Sequence, residues 1–233
     1  MNTKYLYLTL DLLTILFPFL FSFYAKANFS KKWKYLWPAI LIPGIIFIAW
    51  DEFFTRLGVW GFNDAYLSGF YLGSLPLEEV SFFICIPYAC VFTYEALNHL
   101  ISRDYFRPYQ KIISIALIIA CSFLGAINMD KWYTCTTFLS LAIYMILLQF
   151  MRHEVFLGRF YFAFLFILIP FFIINGILTG SGIDEPIVWY NDVENFGVRI
   201  ATIPIEDAFY GMLLILMNVS IFEWLQFKSL HRH

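Results

Sequence analysis

Seven runs of predominantly apolar residues, roughly 4–24, 35–51, 76–97, 111–128, 132–151, 160–179 and 204–226, take up most of this 233-residue chain. A run of about 17–25 such residues matches the hydrocarbon thickness of a bilayer, where a chain can satisfy its backbone only as a helix or a closed barrel. These runs are continuous rather than alternating, which excludes the barrel. Apolar and aromatic types make up 61% of the chain and charged residues 14%, so no soluble domain is left over and no basic face exists for nucleic acid. The expected fold is therefore all-α and integral to the membrane, with seven transmembrane helices. Ala25-Lys26-Ala27 imitates a signal-peptide cleavage site, but the apolar stretch before it is too long and the basic cluster follows it, so the first run is read as a retained helix.

A short polar phrase opens two of these runs. Leu75-Pro76-Leu77-Glu78-Glu79 heads the third and Ile203-Pro204-Ile205-Glu206-Asp207 heads the seventh, 128 positions later. The same shift carries Asn63-Asp64 onto Asn191-Asp192 and Glu95 onto Glu223. Spans one to three thus fall on spans five to seven, and span four is a connector. Three helices plus one connector bring span five in from the same side as span one, so the repeats should be parallel, related by an axis near the membrane normal. The expected boundaries are a first repeat over 1–100, a connector over 101–130, a second repeat over 131–227 and a tail over 228–233. Ile40-Leu41-Ile42-Pro43 and Ile167-Leu168-Ile169-Pro170 repeat one residue out of step, which puts a slip in the following loop.

Of the 15 Lys and Arg residues, only Lys4, Arg56, Lys131 and Arg199 fall on the side from which both acidic phrases enter. The positive-inside rule then orients the N-terminus outward and the C-terminus to the cytoplasm, in the cell's inner membrane. Cys85, Cys90, Cys121 and Cys135 sit in apolar runs without a CxxC pair and read as packing residues, and the four histidines show no metal-ligand spacing within the membrane.

Proline at a helix start marks the first turn. Glu78, Glu79, Glu206 and Asp207 then stand where the positive end of the helix dipole favours an anion. One copy could be ordinary capping at the interface. Two copies, placed at one depth by parallel repeats, make a poorly solvated carboxyl cluster in which the charges cannot all coexist, leaving a protonated acid beside an ionised base.

Pro-x-Glu-(Glu/Asp) at a helix start, present twice in a small polytopic chain with two similar three-helix halves, resembles the lycopene cyclase domain family in its fused arrangement, over residues 1–227. The resemblance implies a carotenoid cyclase that closes the linear ends of lycopene to ionone rings, of the β-carotene type. Glu78, Glu79, Glu206 and Asp207 would be its acids and bases. It further implies a hydrophobic linear carotenoid as substrate, membrane lipid as surroundings, association with other carotenoid-pathway membrane enzymes, and no flavin or nucleotide. The reaction protonates an alkene, cyclises through a carbocation and loses a proton without net redox change; aromatic faces, 21% of the chain, can stabilise the cation. No Gly-x-Gly-x-x-Gly fingerprint and no metal-ligand cluster stands in the sequence, so no cofactor is expected.

Around the motif, Trp50, Trp60, Trp189 and Tyr190 are the aromatic candidates for the site. Asp51 and Glu52 close span two as supports without symmetric counterparts. Asn63, Asp64, Asn191 and Asp192 either cap the loops or orient the carboxylates. Arg56 and Arg199 could hold an acidic partner ionised. Glu95 and Glu223 belong to the opposite interface, and Asp11 has no acidic counterpart at Leu139. Two other classes compete: a proton-coupled transporter, which needs a polar path that the apolar mid-membrane sequence does not offer, and a non-catalytic carotenoid binder. A retinal protein lacks its lysine in span seven, and an aspartate-rich prenyltransferase helix is contradicted by Ser68 and Phe196 at i+4 from Asp64 and Asp192.

Overall fold

The computed structural model describes residues 3–25, 28–150 and 156–230. Lys26, Arg152 and Arg232 of the charge count, and His153, His231 and His233, lie outside the described residues. The described residues form seven α-helices: α1 (Leu6–Phe21), α2 (Trp33–Leu57), α3 (Leu77–Leu100), α4 (Gln110–Ile127), α5 (Trp132–Phe150), α6 (Leu157–Leu178) and α7 (Ile205–Leu230). Six of them are long and apolar enough to cross a bilayer; α1 is shorter. Its 16 residues reach about 24 Å, because Ser22 ends it before residue 24. The Ser22 hydroxyl donates to the Pro18 carbonyl at 2.6 Å and meets the Tyr88 hydroxyl of α3 at 2.7 Å.

α2 continues to Leu57, well past the expected end at 51, and stops where Gly58 takes the left-handed conformation (φ 71°) that a glycine adopts without penalty. Asp51 and Glu52 therefore lie inside its last turns. Pro76 is the N-cap of α3 rather than part of its first turn, with extended backbone (φ −65°, ψ 151°).

The long loops are not structureless. They carry β1 (Trp60–Phe62), β2 (Tyr71–Leu72), β3 (Leu75–Pro76), β4 (Val188–Tyr190), β5 (Arg199–Ile200) and β6 (Ile203–Pro204). β2 pairs with β3 and β5 with β6, and β1 joins β4 across the two loops in the register Trp60↔Tyr190, Gly61↔Trp189, Phe62↔Val188. These ribbons roof one end of the bundle.

α3 and α7 are central. α3 packs on α1, α2, α6 and α7; α7 packs on α2, α5 and α6; α4 leans chiefly on α5. The core between them is apolar and aromatic, with Phe47, Phe83, Tyr88, Phe138, Phe160 and Phe222 fully buried. At the end opposite the roof, Lys32 pairs with Glu95, and Tyr94 donates to Glu223 at 2.6 Å.

Candidate active site

Every acidic residue of the two phrases is buried. Glu78, Glu79, Glu206 and Asp207 fall in the first turns of α3 and α7, and Asp11 and Asp51 are buried beside them, six carboxyls in all, none more than 7% exposed. Among the described residues none of the six is ion-paired. Arg56 pairs with Glu52 at 2.6 Å and Arg199 with Asp192 at 2.5 Å, at the periphery. A buried charge without a cation is costly, so hydrogen bonds must do here what ion pairs do not.

Within each phrase the two acids part company. The first anchors the roof: Glu78 Oε1 accepts the Ser68 amide at 2.7 Å, and Glu206 Oε1 accepts the Phe196 amide at 2.6 Å together with the Thr134 hydroxyl at 2.6 Å. Ser68 and Phe196 are themselves 128 apart. The second acid faces inward. Glu79 and Asp207 line one cavity of about 390 Å³ enclosed by α1, α2, α3, α5, α6, α7 and the β1–β4 ribbon.

Inside this cavity Glu79 Oε2 accepts one hydrogen bond, from the Tyr7 hydroxyl at 2.5 Å. Asp207 accepts three: Tyr133 at 2.5 Å on Oδ1, and Asn175 at 2.7 Å and Tyr190 at 3.0 Å on Oδ2. Asp51 also lines the cavity, taking the Trp60 indole N–H on Oδ1 and leaving Oδ2 enclosed without a partner. Trp60, Tyr133, Tyr190 and Tyr210 form a ring cluster in the cavity wall, with Trp60 5.1 Å from Tyr133 and Tyr133 stacked on Tyr190 at 5.8 Å. Tyr190 stands in the loop, where burial and then the Asp207 charge push its phenol well above the ordinary tyrosine value. Below the acids the wall is apolar. It runs down α3 to Thr93, 14 residues or about 21 Å from Glu79.

The remaining candidates serve the roof. Asn63 and Asn191 cap their loops, accepting the amides of Ala65 and Val193 at 3.1 Å each; Asp64 accepts the Tyr71 hydroxyl. Hydrogen bonds from Asn195 and the Arg199 guanidinium hold Asp192 below the usual carboxylate range. Glu52 Oε2 accepts the Ser74 amide at 2.8 Å. Trp189 covers Gly61, where a Cβ would come within 2.3 Å of the indole. Trp50 packs on Phe47, Phe54 and Tyr210, behind the cavity wall.

Sequence reasoning missed Tyr7, Tyr133 and Asn175. Tyr7 of α1 and Tyr133 of α5 make the same contact 126 positions apart, a shift two less than that of the motif. The position matching Asp11 is then Thr137, another buried group whose hydroxyl has no partner, rather than Leu139.

Residues 4–97 and 130–225 match the model of a family described as lycopene cyclase. No curated protein and no solved structure matches the chain. Among the described residues no group of His, Cys, Asp or Glu is arranged to hold a metal ion.

Proposed function

The chain belongs to the lycopene cyclase family, and from that premise we propose that it closes the linear ends of a carotenoid such as lycopene to ionone rings, with Glu79 as acid and Asp207 as base. The observation that carries this reading is the unequal treatment of two equivalent carboxyls in one cavity. Asp207 has donors on both oxygens, which is the environment of an acceptor-only carboxylate. Glu79 has one donor and a second oxygen left for a proton.

The chemistry then balances without redox change. The Glu79 carboxyl gives its proton to C2 of the terminal C1=C2 bond, leaving a tertiary cation at C1. The C5=C6 electron pair attacks C1, forming the ring and moving the cation to C5. Asp207 removes the proton at C6, and that C–H pair becomes the C5=C6 bond of a β-type ring. The faces of Trp60, Tyr133, Tyr190 and Tyr210 stabilise the cation by roughly 2 kcal/mol or more in so dry a site, and the roof keeps out the water that would trap it. Glu78 and Glu206 are positioning residues that hold the roof.

Several features support two parallel three-helix repeats, 1–100 and 131–227, joined by α4. Exchanging α1, α2, α3 with α5, α6, α7 maps the main packing pairs onto one another, and the β1–β4 ribbon pairs Gly61 with Trp189, 128 positions on, as a two-fold axis through its centre requires. The charge bias favours the roof outside and the C-terminus in the cytoplasm. Leu13, Thr14 and Pro18 of α1 and Pro170, Phe171 and Ile174 of α6 carry the cavity wall to the lipid-facing surface, and this gap admits one end of the substrate from the bilayer while the rest stays in lipid. The apolar wall below the acids gives no polar path for a transported ion.

Expression in a lycopene-making host tests the proposal. Pigment analysis should find monocyclic and bicyclic carotenes at the expense of lycopene. A folded, membrane-inserted protein that leaves lycopene unchanged contradicts it.

A further inference from the structure

Each turnover of the reaction proposed above moves one proton from the Glu79 side of the cavity to Asp207, and the next turnover needs it back. Nothing that donates to Asp207 leads there: Tyr133 and Tyr190 each spend their one O–H on Asp207 itself, and the Asn175 amide is no proton carrier. Glu79 and Asp207 share no hydrogen bond. Two other groups in the cavity wall are unused. Tyr210, three residues beyond Asp207 on α7, has an enclosed hydroxyl with no partner, alone in this among the hydroxyls lining the cavity. Asp51, 3% exposed, has an enclosed Oδ2 with no partner.

Both share one cavity with the two catalytic acids. The Tyr210 ring packs 6.2 Å from Trp60, which donates to Asp51, and 6.2 Å from Tyr133, which donates to Asp207, and Asp51 lines the same cavity as Glu79. Neither residue is matched in the other half. The position 128 before Tyr210 is Phe82, which lines the same cavity with no hydroxyl to offer, and Asp51 falls against Thr179 or Leu178. A buried phenol hydroxyl and a buried carboxyl oxygen left unpaired cost stability, and that cost calls for a use.

We propose that Tyr210 and Asp51 form the return path of the catalytic proton. Once product has left, the free Asp51 Oδ2 and Tyr210 hydroxyl turn into the cavity: a neutral Asp51 hands its proton to the ionised Glu79, and the Tyr210 hydroxyl gives its proton to Asp51 and takes the one that Asp207 removed from the ring. At the end Glu79 is protonated, Asp207 is ionised, and Tyr210 and Asp51 are as they began. No proton has entered from or left to water.

This inference rests on the cyclase reading, and deuterium separates the two. Membranes carrying the protein are equilibrated in D2O and given lycopene, and the deuterium at the protonated ring carbon is measured by mass spectrometry. An internal return path puts back the substrate's own hydrogen, so wild-type rings should carry clearly less than one deuterium each. In Tyr210→Phe the acids can be reset only through solvent, so the content should rise towards one per ring, with steady-state turnover slowed on the order of 100-fold and the first turnover less affected. Asp51→Asn should behave alike and serves if Tyr210→Phe does not fold. One full deuterium per ring in the wild type, or the same content in wild type and variants, overturns the return path while leaving the cyclase intact. No ring at all from wild-type protein overturns the cyclase and the path with it.

Discussion

Asp207 is held by Tyr133, Asn175 and Tyr190, while Glu79 is held by Tyr7 alone. A hydrogen bond to a charged group is worth about 1.5–3 kcal/mol, so Tyr133→Phe and Asn175→Leu should each slow cyclisation by roughly ten- to a hundredfold, read as initial rates in isolated membranes at equal protein. The phrase repeated at 76–79 and 204–207 made Glu79 and Asp207 legible in the sequence. It could not tell them from Glu78 and Glu206, because neighbours on a helix differ only in the direction they face, and packing sets that. Tyr7 and Tyr133 stayed hidden because tyrosine near the end of an apolar run reads equally as an interfacial anchor, and Asn175 because it is a lone amide outside the repeated phrases. At Gly61 the constraint is steric. Gly61→Ala should cost about 1–3 kcal/mol as a lower thermal midpoint, and Gly61→Ala combined with Trp189→Ala should recover part of it, since Trp189 is the group the new methyl meets.

At the scale of elements, the helices were legible from their length and continuous hydrophobicity, to within a few residues at most ends. The ribbons were not: strands of two or three residues carry no alternation to read. They form because backbone groups brought near the membrane must be paired, and each roof loop is tied back to a helix start by the first acid of its phrase. Glu78→Ala and Glu206→Ala should therefore loosen residues 63–75 and 191–203 respectively, seen as faster protease cleavage there with the helices unchanged. The second roof loop also has an acid limit. Asp192 sits below its ordinary value in the folded loop, so its contribution is complete above about pH 3.9 and is lost as pH falls through the lower folded value. Hydrogen exchange at 191–202 should quicken only below that pH, and in Arg199→Gln the onset should move up.

For the whole molecule, the cavity takes Glu79 from one half and Asp207 from the other, and α4 packs with the second half rather than the first. Fragments 1–101 and 102–233 should each be inactive alone and regain cyclisation when produced together, because the break falls in the loop between α3 and α4. The apolar runs made the helical bundle readable in advance, and the 128-residue shift is the ground on which its parallel halves are proposed. The proposed sideways entry beside α1 and α6 was not readable, since it depends on how the helices pack. The most direct test compares four single variants in a lycopene-making host, with protein levels checked in the membrane. Glu79→Gln and Asp207→Asn should abolish ring formation, while Glu78→Gln and Glu206→Gln, whose amides can still accept the loop N–H groups, should retain a measurable share of it. Rings formed at normal yield by Glu79→Gln or Asp207→Asn would contradict the account.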